Sequence, residues 1–285
     1  MTMISGAALV AGVVGQPVRH SLSPLIHNAW IAGLGLDALY APFELSSDGF
    51  ESFVQGVRRS GMRGLNVTLP FKENALRVAD VADSAAKAAG AANLLLFGED
   101  GRIEARNADG IGLLAAFAAQ APQWRPDAVP VVVLGAGGAG KGAVAALNQA
   151  GAEVRLVNRT LERAQEIAAN FDRVDAYPLS RVAEAFEGAG AVVNATSAGL
   201  GDRESLDLPF QFLPEHAVVM DMVYKPLRTV LLQNAEKHGL QTVDGLAMLI
   251  GQAVPSFEAF FGMAPPSSVD VRGLALQAIG ETDRR

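Results

Sequence analysis

Val129-Pro-Val-Val-Val-Leu134 runs straight into Gly135-Ala-Gly-Gly-Ala-Gly140 and then into a run of small residues with a helical pattern. A short apolar run closed by glycine reads as a buried strand, and the small-residue run after it reads as a helix. Gly135, Gly137 and Gly140 match G-x-G-x-x-G in the strand, turn and helix context that the dinucleotide fingerprint requires. The first glycine permits the tight turn, the second lets backbone approach a pyrophosphate, and the third lets the helix pack close to the sheet. The helix N-terminus supplies oriented N–H groups to the anion. A glycine-rich turn that holds no ligand would be spelled the same way.

The end of the next strand separates these readings. About 20 residues on, an NAD-binding chain carries an acidic residue for the ribose hydroxyls. Here Asn158-Arg159-Thr160 stands in that place. A carboxylate would repel a 2′-phosphate, whereas the Arg159 guanidinium can hold one through paired charge-assisted hydrogen bonds. Arg163, four residues further on a predicted helix, could flank the same anion or lie on a solvated face. Taken together, Asn158, Arg159 and Arg163 argue for NADP over NAD.

Outward from this stretch the chain shows two rhythms of strand and helix. Downstream, strands are expected at Glu153–Val157, Ala191–Asn194 and Ala217–Val223, with helices at Leu161–Asn170 and Leu227–His238. Upstream come strands at Leu9–Val14, Leu39–Glu44 and Gly64–Leu69. They alternate with a helix after Ser23-Pro24 and another over Asp48–Ser60, which predicts stacked βαβ units on a largely parallel sheet. Pro24 suits a first helical turn, where its missing N–H would be unpaired anyway, and Ser23 is then an N-cap candidate. The proline-bearing stretch 120–130 with Trp124 reads as the connection between halves. After Gly245 the chain is helical again at Leu246–Phe261 and Val269–Ile279. The fold class is therefore α/β, with an N-terminal α/β domain over 1–108, a Rossmann-like domain over 109–245, and C-terminal helices over 246–285 that return to the first domain.

Composition narrows the function. A formal net charge of −7 and a pI near 5.2 set up a field that repels nucleic-acid phosphates and anionic membranes, so neither partner is expected. With no cysteine there is no thiolate metal site, and the four histidines, His20, His27, His216 and His238, lack ligand spacing, so no metal is expected. His20 and His27 read as satisfied loop or helix-end residues. The apolar Ile4–Gly15 stretch is read as a buried strand rather than a leader, since no Lys or Arg precedes it and Gly6, Gly12 and Gly15 break it. No apolar run approaches the ~20 residues of a membrane span, and cytoplasmic residence is the expectation.

Three polar segments stand out. In His20-Ser-Leu-Ser-Pro24, Ser21 and Ser23 sit two apart in a chain that Pro24 biases toward an extended form, which puts their hydroxyls on one face. Such a pair suits a small carboxylate, and capping explains Ser23 equally well. In Gly64-Leu-Asn-Val-Thr-Leu-Pro-Phe-Lys72, the polar Asn66, Thr68 and Lys72 alternate with Leu65, Val67 and Leu69; if the strand holds, they face a cleft. In Arg106-Asn-Ala-Asp-Gly110, Asp109 precedes a helix and could be its N-cap.

Eight segments occur together, in order and at about the spacing of the shikimate dehydrogenase family, which the chain resembles over nearly its whole length. They are His20-Ser-Leu-Ser-Pro-Leu-Ile-His-Asn28, Asn66-Val-Thr-Leu-Pro-Phe-Lys72, Gly90-Ala-Ala-Asn93, Asn107-Ala-Asp109, Gly135-Ala-Gly-Gly-Ala139, Asn158-Arg-Thr160, Asn194-Ala-Thr-Ser197 and Gly245-Leu-Ala-Met-Leu-Ile-Gly-Gln252. The resemblance implies that 1–108 is a substrate-binding and catalytic domain and 109–245 an NADP-binding domain. It implies that Ser21 and Ser23 bind the substrate carboxylate. Thr68, Asn93, Asp109, Tyr224 and Gln252 would contact ring hydroxyls or order the site, with Lys72 and Asp109 as the catalytic pair. NADP would be held by Gly135, Ala136, Gly137, Gly138 and Ala139 and by Asn158, Arg159, Thr160 and Arg163, with Met222 and Gly245 near the nicotinamide. The implied activity is reversible reduction of 3-dehydroshikimate to shikimate by a monomer or homodimer. Two departures stand out: Ala108 replaces the family threonine, and Gly140 stands where alanine is common, a change expected to matter little. Rival readings are a quinate or aminoshikimate dehydrogenase or loosely specific relative, an NADP-binding regulator without catalysis, and a folate-linked dehydrogenase of similar plan.

Overall fold

The computed structural model describes residues 4–199 and 205–281. In chain order the elements are β1 (Leu9–Gly15), α1 (Ser23–Leu34), β2 (Ala38–Glu44), α2 (Phe50–Val57), β3 (Gly64–Val67), α3 (Lys72–Arg77), β4 (Val81–Ala82), α4 (Ser84–Ala89), β5 (Leu94–Phe97) and β6 (Ile103–Arg106). They continue with α5 (Asp109–Gln120), β7 (Val131–Leu134), α6 (Gly138–Gln149), β8 (Val154–Asn158), α7 (Leu161–Ala168), β9 (Val174–Pro178) and α8 (Val182–Phe186). Last come β10 (Ala191–Asn194), β11 (Val218–Asp221), α9 (Val230–Lys237), β12 (Gln241–Val243), α10 (Gly245–Phe261) and α11 (Val271–Ile279). The chain divides into two units, one of residues up to Ala108 together with those from Gln252 on, the other Asp109–Gly251, so the second division falls inside α10.

The 109–251 unit holds a sheet ordered β12-β11-β10-β7-β8-β9, with every pair parallel. Counted within the unit this is the doubly wound order 3-2-1-4-5-6. Both faces are covered, which explains the uninterrupted apolar run of β7. Val131 and Val133 pack with Leu113, Phe117, Val144 and Leu147 on one face, while Val132 and Leu134 pack with Phe186, Leu231 and Leu232 on the other.

The other unit holds a sheet ordered β2-β1-β3-β5-β6-β4. It is a mixed sheet, parallel-rich as expected: the pairings β1–β2, β1–β3 and β4–β6 are parallel, and β5 alone runs antiparallel to its neighbours β3 and β6. The strands β4 to β6 leave little to read because they are short: β4 spans only Val81–Ala82, and β5 and β6 only 4 residues each. One face packs Val14, Phe50, Leu65, Phe71, Leu95 and Ile103 into a core under α2, α3 and α4. On α1, β2 and α10, the rings of Trp30, Tyr40, Phe257 and Phe260 gather around His27. The N-terminal apolar stretch is strand only from Leu9, and Ile4 is 55% exposed. Ahead of β1, Ser5 bonds to Asp37 and the chain turns, so apolar content there does not mean burial.

Candidate active site

In the 109–251 unit the turn after β7 is built by missing side chains. Gly135 has φ +101, a left-handed region that favours glycine, and its N–H donates to the Val157 carbonyl at 2.8 Å. A Cβ on Gly137 or Gly138 would meet nothing within 4 Å, so the start of α6 presents bare backbone. A Cβ on Gly140 would overlap the Gly135 carbonyl oxygen, so α6 starts close against the turn at this glycine. Asn158, at the end of β8, braces the turn: its Oδ1 accepts from the Ala136 N–H at 3.1 Å, and its Nδ2 donates to the Thr160 carbonyl at 2.8 Å. Thr160 precedes α7 in extended backbone and makes no side-chain cap.

A cavity of about 440 Å³ opens at the carboxyl ends of these strands, lined by Gly135, Asn158, Arg159, Thr196, Ser197 and Ala198 among others. None of the described residues that line it is acidic. An arginine beside a bare glycine turn and helix start gives a donor set that fits a phosphorylated dinucleotide. Arg163 stands exposed in the first turn of α7 and is not among the residues lining the cavity.

Beneath the cavity lies a polar cluster that the sequence reading missed. Buried Asp221, at the end of β11, accepts from Asn194 Nδ2 at 3.0 Å, the Val223 N–H at 3.1 Å and Thr229 Oγ1 at 2.6 Å. Burial raises its carboxyl above the ordinary range, and the three hydrogen bonds oppose that rise. Asn194 Oδ1 in turn accepts from the Thr196 N–H and hydroxyl, which sets the turn lining the cavity. The only sequence signal was an acid closing an otherwise apolar strand. On the same unit Met222 and Gly245 are brought together, since a Cβ on Gly245 would lie 2.5 Å from the Met222 carbonyl oxygen. Tyr224, two residues on, is half-buried.

In the other unit, Ser23 is the first residue of α1 rather than its cap: Leu22 is the N-cap, with no side-chain hydrogen bond. Ser23 is buried, and its N–H donates to Ser21 Oγ at 3.3 Å. The expected alternation through Lys72 stops early. β3 ends at Val67, Leu69 is 70% exposed, and Lys72 opens α3. Buried Phe71 anchors the turn, its N–H donating to the Thr68 carbonyl at 3.0 Å. Thr68 and Lys72 thus share one turn, which is tied to the next segment where the Ala92 N–H donates to the Lys72 carbonyl at 2.9 Å.

Asn93 is the junction of that segment. Its Oδ1 accepts from the Ala108 N–H at 2.7 Å, and its Nδ2 donates to Gln252 Oε1 at 3.4 Å. Asn107 Nδ2 donates to the Ala91 carbonyl at 2.9 Å. Asp109 lies in the first turn of α5 as its first helical residue, where a carboxylate is favoured by the helix dipole. His27 corrects another expectation: it is fully buried, neither ring nitrogen has a hydrogen-bond partner, and desolvation lowers its pKa to about 3.

A doubly wound parallel sheet with a bare glycine turn at its switch point, joined in one chain to a mixed-sheet unit, defines a two-unit dinucleotide-binding α/β protein. Residues 13–95 match the family model described as shikimate dehydrogenase substrate binding domain, and residues 119–200 match that of shikimate / quinate 5-dehydrogenase. Shikimate dehydrogenase (NADP(+)) of Caulobacter vibrioides is 55% identical over 280 residues, covering 98% of each chain. That of Paramagnetospirillum magneticum is 42% identical, over 96% of this chain and 100% of the relative. The crystal structure of shikimate 5-dehydrogenase from Thermus thermophilus in complex with NADP(H) and shikimate superposes with a TM-score of 0.85 at 38% identity, covering 95% of this chain and 99% of that one. The chain belongs to the shikimate dehydrogenase family.

Proposed function

We propose that this chain catalyses the reversible, NADPH-dependent reduction of the 3-dehydroshikimate ketone to the alcohol of shikimate, with Lys72 and Asp109 as the catalytic pair. The observation that carries the reading is the cavity that Arg159 and Gly135 of the glycine turn line together, with no acid among the described lining residues. The bound nicotinamide supplies the hydride. Lys72 holds a proton on its ammonium and delivers it to the oxygen as negative charge develops there. Asp109 keeps that ammonium aimed. Ser21 and Ser23 take the substrate carboxylate, while Thr68, Asn93, Tyr224 and Gln252 take ring hydroxyls or order the groups that do.

Gly135 to Ala139 cradle the pyrophosphate, Arg159 and Arg163 hold the 2′-phosphate, Asn158 and Thr160 shape the strand end beneath them, and Met222 and Gly245 border the nicotinamide. In this reading 1–108 is the substrate domain, 109–245 the NADP domain, and 246–285 serves the first. Among the described residues no helix is long and apolar enough to cross a membrane. We place the enzyme in the cytoplasm. The test is NADPH formation from shikimate and NADP, run beside quinate and beside NAD. Turnover with shikimate and NADP well above both controls is expected; preference for quinate, or absence of any turnover, overturns the proposal.

A further inference from the structure

Tyr40, on β2, is 1% exposed and is held on every side before its hydroxyl is considered. The imidazole of His27 stacks on its ring at 4.0 Å and 8°. Asn28 on α1 clasps its backbone, Nδ2 donating to the Tyr40 carbonyl at 2.8 Å and Oδ1 accepting from the Tyr40 N–H at 3.1 Å. Phenylalanine would fill this place without burying a polar atom, so the hydroxyl needs its own account.

The proton direction is fixed by a neighbour. Asn66 Nδ2 lies 3.2 Å from the Asn93 carbonyl oxygen, which can only accept, and 2.8 Å from Ser256 Oγ. The amide cannot be turned over without setting oxygen against oxygen, so Asn66 Oδ1 faces Tyr40, and the Tyr40 hydroxyl donates to it at 2.7 Å. The phenol oxygen keeps its lone pairs, and the neighbouring Ser23 side chain opposes the rise in pKa that burial gives the Tyr40 hydroxyl. Beyond Asn66 the chain of bonds continues from Ser256 Oγ to the Gln252 carbonyl at 3.1 Å, while Asn93 Nδ2 reaches Gln252 Oε1 at 3.4 Å. One buried hydroxyl therefore joins β2 to β3 and, through Asn66 and Ser256, to α10.

We propose that Tyr40 is a positioning residue for substrate, its hydroxyl fixing Asn66 and, through Asn66, the backbone that carries Asn93 and Gln252, while its ring and oxygen stand beside Ser23. The inference rests on the function proposed above, which puts Ser23, Asn93 and Gln252 against shikimate. Groups ordered beforehand need not be ordered by the ligand, so the effect falls on binding. Because Tyr40 acts on groups that hold substrate and not on the proton donor, it falls on KM rather than kcat.

Tyr40→Phe deletes the hydroxyl alone. Shikimate KM, and shikimate Kd by calorimetry, should rise roughly five- to tenfold, as for loss of one buried neutral hydrogen bond. The kcat and the NADP Kd by fluorescence quenching should stay within twofold. A shikimate Kd within twofold of wild type, even with a lowered melting temperature, would mean that Tyr40 only packs, and would overturn the proposal. Should Tyr40→Phe fail to fold, Ser256→Ala removes the partner of Asn66 from the α10 side: the same split supports the proposal, and an unchanged shikimate Kd overturns it. Wild-type protein that neither binds nor turns over shikimate would instead remove the proposed function, and with it the ligand of this network.

Discussion

The two sheets keep their polar chemistry in different places and hold it by opposite means. In the parallel sheet of 109–251 the polar groups collect at the carboxyl ends of the strands and in the turns beyond them. Asn158 and the Asp221 cluster brace those turns, but their closest approaches depend on side chains that are absent: Gly140 lies against the Gly135 carbonyl, and Gly245 lies against the Met222 peptide. In the mixed sheet of the other unit, polar groups lie inside, and the geometry depends on side chains that are present and mutually bonded, as Tyr40, Asn66 and Ser256 are. A turn built from backbone approach is intolerant of any added atom. A network built from side chains is intolerant of a lost one.

The sharpest way to break the contrast is to remove chemistry from the mixed-sheet unit. Lys72→Ala should lower kcat about 10²- to 10⁴-fold, the usual worth of positioned acid catalysis, while NADP Kd measured by fluorescence holds steady; turnover within a few-fold of wild type would deny Lys72 its role. Next, Arg159→Ala should raise the NADP KM roughly ten- to hundredfold, in line with loss of charge-assisted hydrogen bonds, and leave the NAD KM nearly as it was. An unchanged NADP KM would move the 2′-phosphate elsewhere. Gly140→Ala should destabilise the protein by about 1–3 kcal/mol in urea unfolding and weaken NADP binding, because the added methyl forces the turn from the helix; wild-type values for both would show that the turn has slack.

The smallest effect concerns His27. Its pKa is lowered to about 3 in the folded protein by desolvation, from the 6.5 of an exposed imidazole. The unfolded chain therefore binds the extra proton between pH 6.5 and about 3, so stability is present above that window and falls as pH drops through it. The contribution is about 1.4 kcal/mol per pH unit at most. His27→Phe should flatten the decline in urea-unfolding free energy between pH 6.5 and pH 5. An acid slope equal to wild type would assign the decline to other groups.

The same contrast explains what could be read from the chain. Gly135, Gly140, Arg159 and the apolar run of β7 are local: a turn, a fingerprint spacing and a strand buried on both faces each leave a mark within a few residues. The Asp221 cluster left almost none, because Asn194, Asp221 and Thr229 meet only once parallel strands lie side by side. Tyr40 and Ser256 are likewise far apart in sequence and meet Asn66 only through the fold. The strand after Gly64 was extended too far because Thr68 and Lys72 keep a period of two across a turn, which alternation alone does not detect. His27 was misjudged since nothing local announces that an imidazole will be enclosed by rings.

Asn158 has a consequence for anyone wishing to switch the coenzyme. Engineering toward the unphosphorylated dinucleotide commonly begins by installing an acid at the end of this strand, yet the Asn158 amide uses its oxygen on Ala136 and its nitrogen on Thr160. Aspartate there would keep the acceptor, forfeit the donor, and set a charge against the Thr160 carbonyl. Redesign has to proceed through position 159 and leave its neighbour as a fixed tie between loop and strand.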